Sequence, residues 1–263
     1  MIFKKNRKRI DLQNDDKILI SFLARHKYCD NVAGKILLNK KNDRAFWKRL
    51  KKLKEYKIFR TGKIFLNDLT FNKQPEIVSL IALDDEGLRL TGTQKRFRIA
   101  TNLKHNLYIK RVCAAIEKMK EQGFEYETEY VHNFKEKTKN DDFPFLSDEV
   151  KRIRPDVFIL NFNIDFEIEL TIKKRSDSYG ARLFFSQFLN DYNKTIWITA
   201  NVNDKIKLIN IFNSYRDVWF VYDTKYNLKS FIDGRQINKN LVLTIDDFLQ
   251  NYEQNILKFA GLF

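Results

Sequence analysis

The chain has 263 residues, 43% hydrophobic and 14% aromatic, with a formal charge of +15. That length suits one large domain or two smaller ones, and the apolar share excludes a disordered chain. Eight glycines and three prolines exclude a collagen-like or linker-rich chain, and two cysteines outside any CxxC pair, Cys29 and Cys113, speak against a zinc ribbon or disulfide scaffold.

The charge is unevenly spread. Residues 1–120 hold 30 Lys and Arg against 12 Asp and Glu, whereas residues 121–263 hold 19 against 22. A basic excess confined to the first half predicts a polyanionic partner there, and double-stranded DNA is the one expected. The opening MIFKKNRKRIDLQNDDK has no apolar run of signal length, and no window approaches 18 apolar residues. A cytoplasmic protein without membrane insertion is therefore expected.

Along the chain, the apolar spacing of NDDKILISFLARHKYCD predicts a helix over 14–30, with Asn14 as N-cap, and NVAGKILLN predicts a short second helix. In the third segment Phe46, Leu50, Leu53 and Tyr56 recur at helical spacing, and Arg44, Lys48, Lys51 and Lys52 occupy the polar side, with Arg49 nearby. A strand and turn over 57–66 and a second strand over 76–83 follow, and 83–92 closes the module with a short helix. Three helices and a two-stranded wing make a winged helix-turn-helix. Its third helix would enter the major groove, so Arg44, Lys48, Lys51 and Lys52 are the expected DNA contacts. A basic solvent face on a helix hairpin is the plainer alternative. The basic stretch TQKRFRIATNLKH reads as a linker, so the domains are expected at 1–94 and 95–263.

The second half begins with an amphipathic helix over 102–123. Strands follow in FEYETEYVH, VKRIRPDVFIL and FNIDFEIELTIK, then a helix in SYGARLFFSQFLNDY, a strand in TIWITAN, a helix in NDKIKLINIFNSYRD, a strand in VWFVYDT and one or two terminal helices. This order predicts an α/β domain with one mixed sheet. It is also the order of the restriction-endonuclease-like fold. That fold carries one acid on its second strand and an acid and a lysine two apart on its third.

RPDVFILNFNIDFEIELTIKKR holds the acids that would serve. Asp165, Glu167 and Glu169 alternate with Ile164, Phe166, Ile168 and Leu170, so one strand face is acidic and the other apolar. Asp156 opens the preceding strand. Asp156, Glu167 and Glu169 are the expected ligands of Mg2+ or Mn2+, hard cations that take oxygen donors and polarise a phosphate. Lys173, on the same face beyond Thr171, is the expected catalytic cation, and Arg154 a DNA contact. A metal-activated water is the expected nucleophile, with Tyr179 as the covalent alternative. A solvent-facing strand, or an acidic site for a partner's basic group, would use the same alternation differently.

LKHNLYIKRVCAAIE, FEYETEY, RPDVFIL and FEIELT together resemble the replication-relaxation protein family, and the chain is similar to the MobC class of conjugative relaxases. The resemblance implies a winged helix joined to a restriction-endonuclease-like domain. It also implies metal-dependent nicking of one DNA strand at a plasmid transfer origin, alongside other mobilisation proteins. The oligomeric state stays open, since a homodimer would suit inverted repeats but nothing in the sequence demands one. The family's Arg-Pro-Asp falls on Arg154, Pro155 and Asp156, its Glu-x-Glu on Glu167 and Glu169, and its histidine on His105. The nuclease pattern wants lysine where Glu169 stands. That departure leaves open a carboxylate-rich active site or a non-enzymatic DNA-binding protein on a degenerate nuclease fold, such as an origin-binding accessory factor, replication initiator or repressor.

Overall fold

The computed structural model describes residues 10–40, 42–66, 76–93, 102–128, 132–133, 152–153, 155–172, 194–214, 218–222, 228–231 and 240–262. The chain is a mixed α/β protein. It divides into two compact units, Met1–Lys118 and Met119–Phe263.

In the first unit α1 (Asn14–His26) is followed by β1 (Tyr28–Asp30), α2 (Asn31–Leu37) and α3 (Asp43–Glu55). Then come β2 (Phe59–Leu66), β3 (Glu76–Leu83), α4 (Asp85–Thr91) and α5 (Leu103–Lys118). The helix expected through Asp30 stops at His26. Lys27 turns the chain with φ of 70°, and Tyr28–Asp30 pair with β3 instead. Asp30 explains the break. Its Oδ1 accepts the Ala33 N–H at 2.9 Å as the cap of α2, a role that needs extended backbone. Asn42 caps α3 in the same way, accepting from Ala45 N at 2.8 Å.

β1, β3 and β2 form an antiparallel sheet in that order. One face packs on the helical core, where Leu19, Phe22, Leu23, Phe46, Leu50, Leu53 and Ile81 are buried. At Gly34 of α2 an added Cβ would lie 2.7 Å from Ile81 Cδ1, so the helix packs closely on the sheet there, and a larger residue would make the Ile81 side chain shift. The other face carries Tyr28, Val78, Leu80 and Ala82 against Leu107 of α5. Helix α5, read from sequence as the start of the second domain, thus belongs by its packing on α2 and β1 to the first unit.

Helix α4 is tied to the root of β2. Asp84 N–H donates to Ile58 O at 2.9 Å and Glu86 N–H to Lys57 O at 3.0 Å. Gly87 presses on the Ile58 carbonyl so closely that no Cβ would fit. Ile58 N–H in turn donates to Leu53 O of α3 at 3.1 Å.

In the second unit the strands are β4 (Tyr126–Glu127), β5 (His132–Asn133), β6 (Arg152–Ile153), β7 (Val157–Ile159), β8 (Ile164–Glu169) and β9 (Lys194–Thr199). Helix α6 (Val202–Ser214), β10 (Val218–Tyr222), β11 (Leu228–Phe231), β12 (Asn240–Thr244), α7 (Ile245–Gln250) and α8 (Tyr252–Ala260) complete it. A five-stranded sheet runs β12-β9-β8-β7-β4. β8 is parallel to β9, and β9 to β12, while β7 is antiparallel to both its neighbours. β5 pairs with β6, and β10 with β11, as separate two-stranded sheets.

Two sequence expectations change here. β10 does not join the main sheet but pairs with β11. The place beside β9 is taken by β12, a strand the sequence reading passed over. The helix expected over 178–192 lies outside the described residues.

Phe166 of β8 meets Phe248 of α7 edge-on, and Trp197 of β9 meets Phe212 of α6 edge-on. Residues 166 and 197 lie on opposite faces of the sheet by register, so helices cover both faces. Among the described residues no helix is long and apolar enough to cross a membrane.

Candidate functional site

The two features singled out by sequence lie one in each unit. In the first, α3 turns Phe46, Leu50 and Leu53 inward and leaves Arg44, Lys48, Lys51 and Lys52 exposed. The inward face follows from the i, i+4, i+7 recurrence of apolar side chains, and the cations share the opposite side. Lys54 Nζ donates to Thr61 Oγ1 of β2 at 2.8 Å, which ties the helix to that strand. Arg60 and Lys63 of that strand are exposed.

Arg49 is the exception on α3. Its guanidinium closes on Asp16 of α1, Nε donating to Oδ1 at 2.9 Å, and Nη2 reaches Asp11 O at 3.2 Å. The hydrogen bond to Asp16 holds Arg49 above its ordinary pKa. Arg49 is therefore a fastening between helices and not part of the outward cationic face.

In the second unit β8 is buried at all six positions. Asp165, Glu167 and Glu169 are 3%, 6% and 8% exposed, so the acidic face does not open to water. A solvent-facing polar row is thereby excluded for these three residues. By register they lie beside Thr195, Trp197 and Thr199 of β9, and Asp165 lies opposite Phe158 of β7. Trp197 packs against Leu208 and Phe212 of α6, which brings that helix to the acidic side of the sheet.

Asp156 sits one residue before β7. Its N–H donates to Phe166 O at 3.0 Å, and its Oδ2 accepts the Ile168 N–H at 2.8 Å. A side chain thus replaces a ladder acceptor at the amide between Glu167 and Glu169. The structure therefore brings Asp156 to the stretch of β8 that carries both glutamates. The sequence spacing gave only proximity; this backbone contact has no sequence signal.

Among the described residues no group of three or more His, Cys, Asp or Glu side chains could hold a metal ion. The convergence expected of Asp156, Glu167 and Glu169 as three ligands is not found there. Their oxygens suit a hard cation by chemistry, but they do not form a complete ligand set by themselves. Lys173, Arg154 and Tyr179 lie outside the described residues. His105 lies in the first turn of α5, in the first unit.

The sequence reading missed two groups in the first unit. Asp30, besides capping α2, accepts from Arg111 Nε at 2.7 Å in the core. Lys110 places Nζ 2.9 Å from the centroid of the Tyr28 ring. Burial pushes its pKa down to about 7, against the pull of Cys29, Cys113 and Asp30. An i, i+1 basic pair inside an amphipathic helix was the available signal. Comparison of the chain with protein-family models, with curated proteins and with solved structures returns no match.

Proposed function

We propose that the chain binds double-stranded DNA through α3 and the β2–β3 hairpin, and that its second unit nicks one strand with Mg2+ or Mn2+ at a plasmid transfer origin. The observation that carries the reading is the outward face of α3, where Arg44, Lys48, Lys51 and Lys52 are all exposed above a buried apolar stripe. An exposed helix with four cations on one side matches the electrostatic footprint of a groove-reading element.

The order α1-β1-α2-α3-β2-β3 supports a winged helix-turn-helix as the reader. The sheet order β12-β9-β8-β7-β4, with acids before its second strand in chain order and on its third, supports a restriction-endonuclease-like scaffold. Both agree with the resemblance to replication-relaxation proteins and the MobC class. A bound divalent ion would supply charge stabilisation at a scissile phosphate. Asp156, fixed by the Ile168 amide, and the flanking Glu167 and Glu169 are the groups that would face it, with phosphate and water completing the shell.

DNA binding is tested by the salt dependence of affinity for duplex DNA. Replacing Lys48, Lys51 and Lys52 together by Ala should reduce the log–log salt slope by about 2–3, since each phosphate contact contributes about 0.9. An unchanged slope refutes this face. Nicking is tested on supercoiled plasmid bearing the cognate origin: wild type should relax it with Mn2+, and Asp156→Ala and Glu169→Ala should not.

A second reading is a non-enzymatic DNA-binding protein on a degenerate nuclease scaffold. Two observations favour it: the lack of a three-ligand group among the described residues, and Glu169 where the nuclease pattern has lysine. Salt-dependent binding to the origin by a wild type that leaves the plasmid supercoiled would decide for it.

A further inference from the structure

Trp47 is the one residue of α3 that is both large, apolar and outward-facing among its described positions, with 39% of its surface exposed. Phe46 meets its ring at a centroid distance of 4.9 Å and an angle of 66°, so the indole is propped from one side. Positions 47, 51 and 54 recur at i, i+4 and i+7 and form one stripe along the helix. Lys54 in that stripe bonds Thr61 of β2. The stripe therefore flanks the wing strand, and Lys51 joins it to the cationic face of Arg44, Lys48 and Lys52.

We infer that Trp47 is a base-reading residue, packing its exposed ring against the 5-methyl group of a thymine in the major groove. The inference rests on the DNA-binding reading of α3. In that groove the base edges present hydrogen-bonding groups and a single kind of apolar group, the thymine methyl. The cations on the neighbouring face would hold phosphates and carry no sequence information, whereas an apolar ring beside them gains affinity where a methyl group meets it. The buried Phe46 ring backs the indole on one side, and the exposed part of the indole is the part a duplex would meet.

The experiment uses the full chain and duplexes that it selects from a randomised pool, each prepared once with thymine and once with deoxyuridine, which lacks only the methyl. Wild type should bind the thymine form about fourfold more tightly per methyl buried. Trp47→Ala should bind both forms equally, with its salt slope unchanged, because no phosphate contact is lost. Trp47→Phe should retain part of the discrimination, and it serves as the readout if the alanine variant does not fold.

Equal affinity of wild type for the two forms overturns the assignment without any variant, as does a selected site without thymine. So does a folded Trp47→Ala that keeps the wild-type ratio. If the triple lysine variant leaves the salt slope untouched, the DNA-binding reading fails and takes this assignment with it. If that variant lowers the slope while Trp47→Ala changes nothing, only the thymine contact is lost.

Discussion

The two units treat buried acids differently. In the first, Asp16 meets Arg49, Asp30 meets Arg111 and Glu117 meets Arg25, each joining two elements that are distant in sequence. In the second, three buried acids stand at alternate positions of one strand, and their register neighbours on β9 are Thr195, Trp197 and Thr199. The first pattern is what folding asks of a buried charge. The second sets like charges on one face of a single strand, and beside them Asp156 accepts a backbone amide of that strand. Acids of the first kind join separate elements of their unit; those of the second lie within one sheet.

Substitutions test this contrast. The largest effect is expected at Asp30. Asp30→Ala removes the carboxylate that pairs with the buried Arg111 and uncaps α2, and should lower stability by about 2–4 kcal/mol in urea unfolding. A loss below about 1 kcal/mol would mean the acids of the first unit are not fastenings.

Lys110 comes next. Its folded pKa, about 7, lies below the ordinary lysine value. Between about pH 7 and 10 the unfolded chain therefore binds more protons than the folded one, and stability rises with pH by up to about 1.4 kcal/mol per unit. Below about pH 7 both states are protonated and the folded state carries the buried charge, so that gain is absent. Lys110→Met should flatten this part of the profile relative to wild type. Parallel profiles for the two proteins would show that the ammonium over Tyr28 titrates normally.

In the second unit, Asp156→Ala removes an acceptor of the Ile168 N–H and should cost about 1–2 kcal/mol in urea unfolding, whereas Asp156→Asn keeps an acceptor oxygen and should cost less than about 0.5 kcal/mol. Equal losses for the two variants would show that the bond to Ile168 is not what Asp156 contributes to the fold. The smallest effect calibrates the others. Thr244 caps α7, accepting from Asp247 N at 3.0 Å, and Thr244→Ala should cost about 1 kcal/mol, read from the shift in urea midpoint.

Much of the framework was legible in the sequence. The spacing of Phe46, Leu50 and Leu53 gave α3 and its cationic side, and the alternation from Ile164 to Glu169 gave β8 and its acidic face. What alternation cannot give is whether that face meets water, because a strand between two helical layers alternates as one on a surface does. β1 was hidden because Tyr28, Cys29 and Asp30 continue a helical apolar pattern; a positive φ at Lys27, with no glycine there to announce it, breaks the helix. β12 was hidden because Asn-Leu-Val-Leu-Thr is short, and its parallel pairing with β9 depends on residues more than forty positions away. The bond from Ile168 N–H to Asp156 replaces a ladder bond by a side chain, which no periodicity records.

The stitching of α4 to Lys57 and Ile58 has a mechanical consequence. Leu53 O of α3 holds the Ile58 amide, the Ile58 carbonyl holds the Asp84 amide, and Gly87 seals the junction. The end of α3 and the root of β2 and β3 thus share one joint. On a duplex, α3 and the hairpin would act as the two fixed points of a caliper. Their spacing would be set before any DNA arrives, and a duplex whose groove did not match that gauge would have to deform to be held.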